Sequence, residues 1–200
     1  MRKMGSVKIN DHQVFEKIRP GFGVGLLTAI RQSLSPVLIS PIKEDAEILV
    51  VQCQVNDMQL RVINGYGPQD DAPVSDRLVF WSALEQEIIT AKDTNCALLI
   101  QLDANAKVGR SVILSDPNVN TSENGKLLLN MVERENLHIL HCFPLCRGSI
   151  TRQRVTLQRE ENQYWIMCQI LEYLVIDEDR TFSKVITISC LPFSISNIKI

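Results

Sequence analysis

Residues 96–109 read CALLIQLDANAKVG, and this stretch constrains the chain most. Cys96-Ala97-Leu98-Leu99-Ile100 is unbroken apolar sequence, which suits a strand covered on both faces, not one with a wet side. Polarity then changes abruptly at Asp103-Ala104-Asn105. An Asp and an Asn two apart, where a buried strand opens into a loop, project to the same side of the backbone. The carboxylate can accept a proton or hold a cation, and the amide can donate to an anionic oxygen. The same residues also suit a simple Asx turn leaving the strand.

The sequence before this strand is β-rich. Residues 24–30, 36–40, 47–55 and 58–63 each read as strands, and Asn56-Asp57 between the last two predicts an antiparallel hairpin. Arg19-Pro20-Gly21-Phe22-Gly23-Val24-Gly25 resembles a phosphate loop only superficially, since no helix with a phosphate-binding Lys follows. The simpler expectation is a turn into a strand where another backbone packs close. Asp71-Ala72-Pro73 opens a helix, with Arg77, Trp81, Leu84 and Ile88 on one stripe. Leu78 and Phe80 widen that stripe, and Glu85 and Glu87 fall on the wet side. Ser122-Glu123-Asn124-Gly125 caps a second helix, whose apolar face is Leu127, Leu128, Met131 and Val132. Residues 136–142 form a further strand. Residues 1–18 show no periodicity and suit a poorly anchored strand or tail.

Composition narrows the class. The formal charge is −2, so nucleic acid would have to be met by a local basic patch and not by a global field. The six cysteines (53, 96, 142, 146, 168 and 190) are scattered, several in apolar runs, which suits reduced thiols in an intracellular protein. His138, His141, Cys142 and Cys146 have the residue types of a zinc site but not its paired spacing. The N-terminus lacks a signal peptide's apolar core, and no apolar run approaches the ~20 residues of a membrane span.

Several stretches carry a family resemblance. Leu102-Asp103-Ala104-Asn105-Ala106-Lys107-Val108-Gly109 resembles the G-D-x-N-A-K-x-G signature of the endonuclease/exonuclease/phosphatase superfamily, with Leu102 in place of the Gly. Asn64-Gly65-Tyr66-Gly67-Pro68 resembles its N-x-Y-x-P element, and Asn124-Gly125-Lys126 an N-G-x-x-L before a helix. Residues 148–156 resemble the retroelement form G-x-I-T-R-Q-R-V-T almost letter for letter. The branch most similar is the endonuclease domain of non-LTR retrotransposons.

The resemblance implies an α+β, four-layer α/β sandwich of two mixed β-sheets flanked by helices (DNase I-like), truncated here. It covers residues 19–182, after a poorly ordered 1–18 and before a divergent 183–200. It implies a metal-dependent phosphodiester hydrolase acting on DNA, with Mg²⁺ or Mn²⁺ at Asp103. Asp103, Asn105, Tyr66 and Glu172 would be catalytic, and Arg152 and Arg154 would contact DNA phosphates. In a full-length element a reverse transcriptase would be fused to it, and the location would be intracellular, in the nucleus.

The set departs from the family pattern in places. Glu172 in Leu171-Glu172-Tyr173 stands where relatives carry an Asp that orients a catalytic histidine, and it is longer by one methylene, about 1.5 Å. Neither Asp nor His occurs after Asp179, where relatives end in S-D-H. Nor does the match include the family's early Asn and metal-binding Glu. The expectation is therefore an impaired nuclease. Two alternatives are a decayed, non-catalytic copy that keeps a binding surface and a phosphatase of the same superfamily.

Overall fold

The structure, a computed structural model, describes residues 8–19, 25–109 and 120–139 and the backbone of 174–177. In chain order the strands are β1 (His12–Lys17), β2 (Leu26–Arg31), β3 (Val37–Ile39), β4 (Ile48–Val55) and β5 (Met58–Tyr66). Helix α1 (Val74–Asp93), β6 (Ala97–Asp103), α2 (Glu123–Arg134), β7 (Leu137–Ile139) and β8 (Leu174–Asp177) follow. A six-stranded sheet has the order β3-β4-β5-β6-β8-β7, and β1 and β2 pair separately. β5 and β6 run parallel, joined by α1, while every other pairing among the described residues is antiparallel. The β4–β5 hairpin turns at Asn56-Asp57, where Asn56 takes φ 53°, a left-handed conformation Asn tolerates.

The period of two along each strand divides the core. Ile48 and Val50 of β4, Ile63 of β5 and Leu98, Ile100 and Leu102 of β6 pack with α1 and α2. Leu49, Val51 and Cys53, Leu60 and Val62, and Ala97 and Leu99 face the other way, with Phe15 of β1 and Ile30 of β2 over them. β6 is therefore buried on both faces, as its unbroken apolar run predicts. Across the second face, the Asn64 amide donates to Leu27 O and to Thr28 Oγ1, both at 3.1 Å. Among the described residues the layers are helices, the six-stranded sheet and the β1–β2 pair.

Two expectations change. Residues 12–17, within the segment read as a poorly anchored strand or tail, form β1. Burial of Phe15 anchors it, as does the Lys17 ammonium, which donates to Glu44 O at 2.8 Å and Ile48 O at 3.2 Å. Phe80, Trp81, Leu84 and Ile88 are buried as expected, but Leu78 is 52% exposed and Glu87 2% exposed, the reverse of the expectation for these two. Glu87 lies three residues from Leu84 and four from Ala91, so helix geometry places it on the buried face. Its carboxylate is satisfied there, accepting from Ile42 N at 2.6 Å. Leu102 continues β6 without a positive φ. It fits because its register partner on β5 is Gly65, whose absent Cβ would sit 3.0 Å from Leu102 Cδ1.

Gly25, at φ 87°, confirms the close-backbone reading of its turn. A Cβ there would lie 2.2 Å from Lys17 O.

Candidate active site

Parallel pairing of β5 with β6 aligns their carboxyl ends, and Tyr66 and Asp103 are register partners at that edge. Crevices outside the carboxyl ends of parallel strands are where open α/β sheets commonly bind ligands. Both side chains are half-buried, as is Asn105. The backbone N–H of Asn105 donates to Asp103 Oδ1 at 3.2 Å, so the Asx turn forms. That turn holds Asn105 at φ 44°. The Asn105 side chain is thereby sent across to the β5 end, where Nδ2 donates to Gly67 O at 2.7 Å. Turn and site geometry are one arrangement here.

The two loops leaving these strands touch backbone to backbone. Gly67 N donates to Asp103 O at 2.7 Å. A Cβ on Gly67 would sit 2.9 Å from Ala104 O, so this approach requires glycine. Tyr66 is held on both sides. Gln69 Nε2 donates to its hydroxyl at 3.0 Å, and the Arg19 guanidinium lies 4.5 Å from its ring centroid. Arg19 also pairs with Glu47 through two N–H donors, and that hydrogen bond raises its pKa above the ordinary arginine value.

Behind the loops, the α2 N-terminus is bound to both. Ser122 caps the helix, accepting from Gly125 N at 3.2 Å and from Lys107 N at 3.1 Å. Asn124 is fully buried. Its Nδ2 donates to Pro68 O (2.8 Å) and Asn105 O (3.3 Å), and its Oδ1 accepts from Trp81 Nε1 (3.2 Å). Asn124 N donates to Asp70 Oδ1 at 3.0 Å.

Of the sequence-derived residues, Tyr66, Asp103 and Asn105 come together. Glu172, Arg152 and Arg154 lie outside the described residues, as do His141, Cys142 and Cys146. Sequence reasoning missed Arg19, Glu47, Gln69 and Asp70 as neighbours of this site, and read Asn124 as part of a cap and of the N-G-x-x-L element without giving it a role in the site. The N-x-Y-x-P and N-G-x-x-L spellings were the available signals, but nothing in them says that the two segments meet.

This architecture, mixed sheet with helices on one face and a second sheet on the other, is an α+β fold of the DNase I type. A solved structure similar to it is "Endonuclease domain of TRAS1, a telomere-specific non-LTR retrotransposon", at a TM-score of 0.57 and 16% sequence identity. The similarity covers 86% of this chain and 69% of that one. No family model and no curated protein matches the chain. Among the described residues, no helix is long and apolar enough to cross a membrane.

Proposed function

We propose that this chain is a nuclease-like phosphodiester-handling domain of retroelement type that binds DNA and, as a 200-residue polypeptide, cleaves it poorly. The observation that supports this most is the register pairing of Tyr66 with Asp103, with Asn105 tied to the adjoining Gly67. A half-buried carboxylate at that edge fits a hard divalent cation, which takes one or two protein carboxylates and completes its shell with water and phosphate oxygens. Asp103 would hold Mg²⁺ or Mn²⁺, which when bound supplies charge neutralisation at the phosphate and the leaving oxygen. Asp103 would also orient an attacking water. The Tyr66 hydroxyl and the second N–H of the Asn105 amide suit the non-bridging oxygens as charge develops.

β8 begins with Leu174 opposite Gln101, two residues short of Asp103 on β6. Glu172 precedes that strand by two residues in the sequence, and the resemblance alone assigns it to the same site. A carboxylate there would orient a histidine, yet the chain's three histidines (12, 138 and 141) all precede it. Groups that act as one catalytic unit fail together, so cleavage should fall by ~10³–10⁶ relative to an intact set.

Duplex binding by anisotropy at low salt, with and without Mn²⁺, and nicking of supercoiled plasmid in Mg²⁺ and then Mn²⁺ test this reading. Both are run beside Asp103→Ala. The expected result is Mn²⁺-strengthened binding that Asp103→Ala loses, with little or no nicking. Absence of duplex binding would remove the DNA assignment. Rapid nicking that Asp103→Ala abolishes would remove the impairment.

A further inference from the structure

We infer that Asn124 is a positioning residue for this site: its side chain holds the Tyr66 loop and the Asp103–Asn105 loop in register. The inference rests on the proposed function for its purpose, but its geometry stands independently. Asn124 is 0% exposed and uses both ends of its amide. Nδ2 spans from Pro68 O to Asn105 O, one carbonyl from each loop. Oδ1 is held by the Trp81 indole N–H on α1. The backbone N–H of the same residue fixes Asp70. One buried side chain thus joins the β5–α1 loop, the β6–α2 loop and the inner face of α1.

No apolar residue can do this, and neither can aspartate. Both loop carbonyls accept from the Asn124 amide in part-buried hydrogen bonds that neither replacement can donate, and losing them costs free energy. An ionised carboxylate would also face two carbonyl oxygens. The direct inter-loop bonds, Gly67 N to Asp103 O and Asn105 Nδ2 to Gly67 O, lie just in front of this brace. Loosening Asn124 should therefore be felt first at Gly67 and Asn105 and not in the sheet. Positioned chemistry is sensitive to shifts of about 1 Å, so a brace one layer back can govern it.

The experiment compares the full chain with Asn124→Asp and with Trp81→Phe, a milder variant that removes one donor to Asn124. Amide hydrogen exchange is read at Gly67 and Asn105, with Val51 and Val62 of the β4–β5 pair as remote reporters. Mn²⁺ titration is read by paramagnetic broadening of the Asn105 amide. In Asn124→Asp, exchange at Gly67 and Asn105 should accelerate by at least tenfold and at Val51 and Val62 by less than twofold. The Mn²⁺ midpoint should rise at least fivefold, and Trp81→Phe should show the same pattern, smaller. Equal acceleration at all four amides would show a merely structural role and overturn the inference, as would unchanged exchange at Gly67 and Asn105. If Asn124→Asp does not fold, Trp81→Phe decides by the same criteria. A wild-type chain with no Mn²⁺ response counts against the metal-dependent function alone, because the exchange pattern judges Asn124 without it.

Discussion

A Cβ added to Gly125 would lie 2.0 Å from the carbonyl oxygen of Lys107, closer than any real contact. The first turn of α2 and the loop descending from Asp103 therefore meet at a position that only glycine can occupy. That carbonyl is not at liberty to retreat, since it accepts from Ser122 N at 2.9 Å. The helix start, its cap and the candidate site are consequently one packed unit.

Gly125→Ala should therefore destabilise the fold by about 2–3 kcal/mol, through overpacking against backbone and not a flexible side chain. Urea unfolding should show a lower midpoint with an unchanged slope. A midpoint within error of wild type would mean that α2 can shift away from the Lys107 loop at no cost.

Stability should fall in alkaline solution partly through Cys53. Burial pushes its thiol from 9.0 up to about 11. The folded pKa is raised, so the unfolded chain loses this proton first. The contribution is complete below about pH 9 and is lost as pH rises toward about 11, an effect on the order of 2–3 kcal/mol. Cys53→Ala should be less stable at pH 8 because of the cavity, yet lose less between pH 9 and 11. Parallel pH profiles for the two proteins would rule out Cys53 as a source of the slope.

Arg152 and Arg154 should contribute to duplex affinity through phosphate charge. Each phosphate contact contributes ~0.9 to the slope of log K against log salt, so Arg152→Ala/Arg154→Ala should flatten it by about 2. The loss should be similar across unrelated duplex sequences. An unchanged slope would place the DNA-binding charge elsewhere.

Much of the local structure could be read in advance because it depends on neighbours in sequence. The buried run of β6, the Asn56-Asp57 hairpin and the Ser122 cap follow from side-chain period, turn chemistry and orphan helix donors. The expected apolar face of α2 holds, with Leu128 and Met131 buried and Leu127 and Val132 packed beside them. At α1 periodicity placed Phe80, Trp81, Leu84 and Ile88 inside correctly, but it counted hydrophobicity and so set Glu87 outside. The loop carrying Ile42 supplies a backbone donor to that carboxylate, and no local pattern announces this.

The candidate site divides the same way. Residues 96–105 alone show that Asp103 and Asn105 stand where a buried strand ends, because a run covered on both faces does not carry on past an ionised carboxylate. The sequence also marks Tyr66 as the close of another strand. That these ends lie side by side follows from the parallel pairing of β5 with β6 and from nothing local to either strand. Tertiary structure alone also allowed Leu102 to take the place of a glycine, opposite Gly65. Asn124 became a brace in the same way, since its partners on Pro68, Trp81 and Asn105 are 56, 43 and 19 residues away. A hydrogen bond of that span leaves no mark on local spacing, because its donor and acceptor meet only after the helices have packed on the sheet.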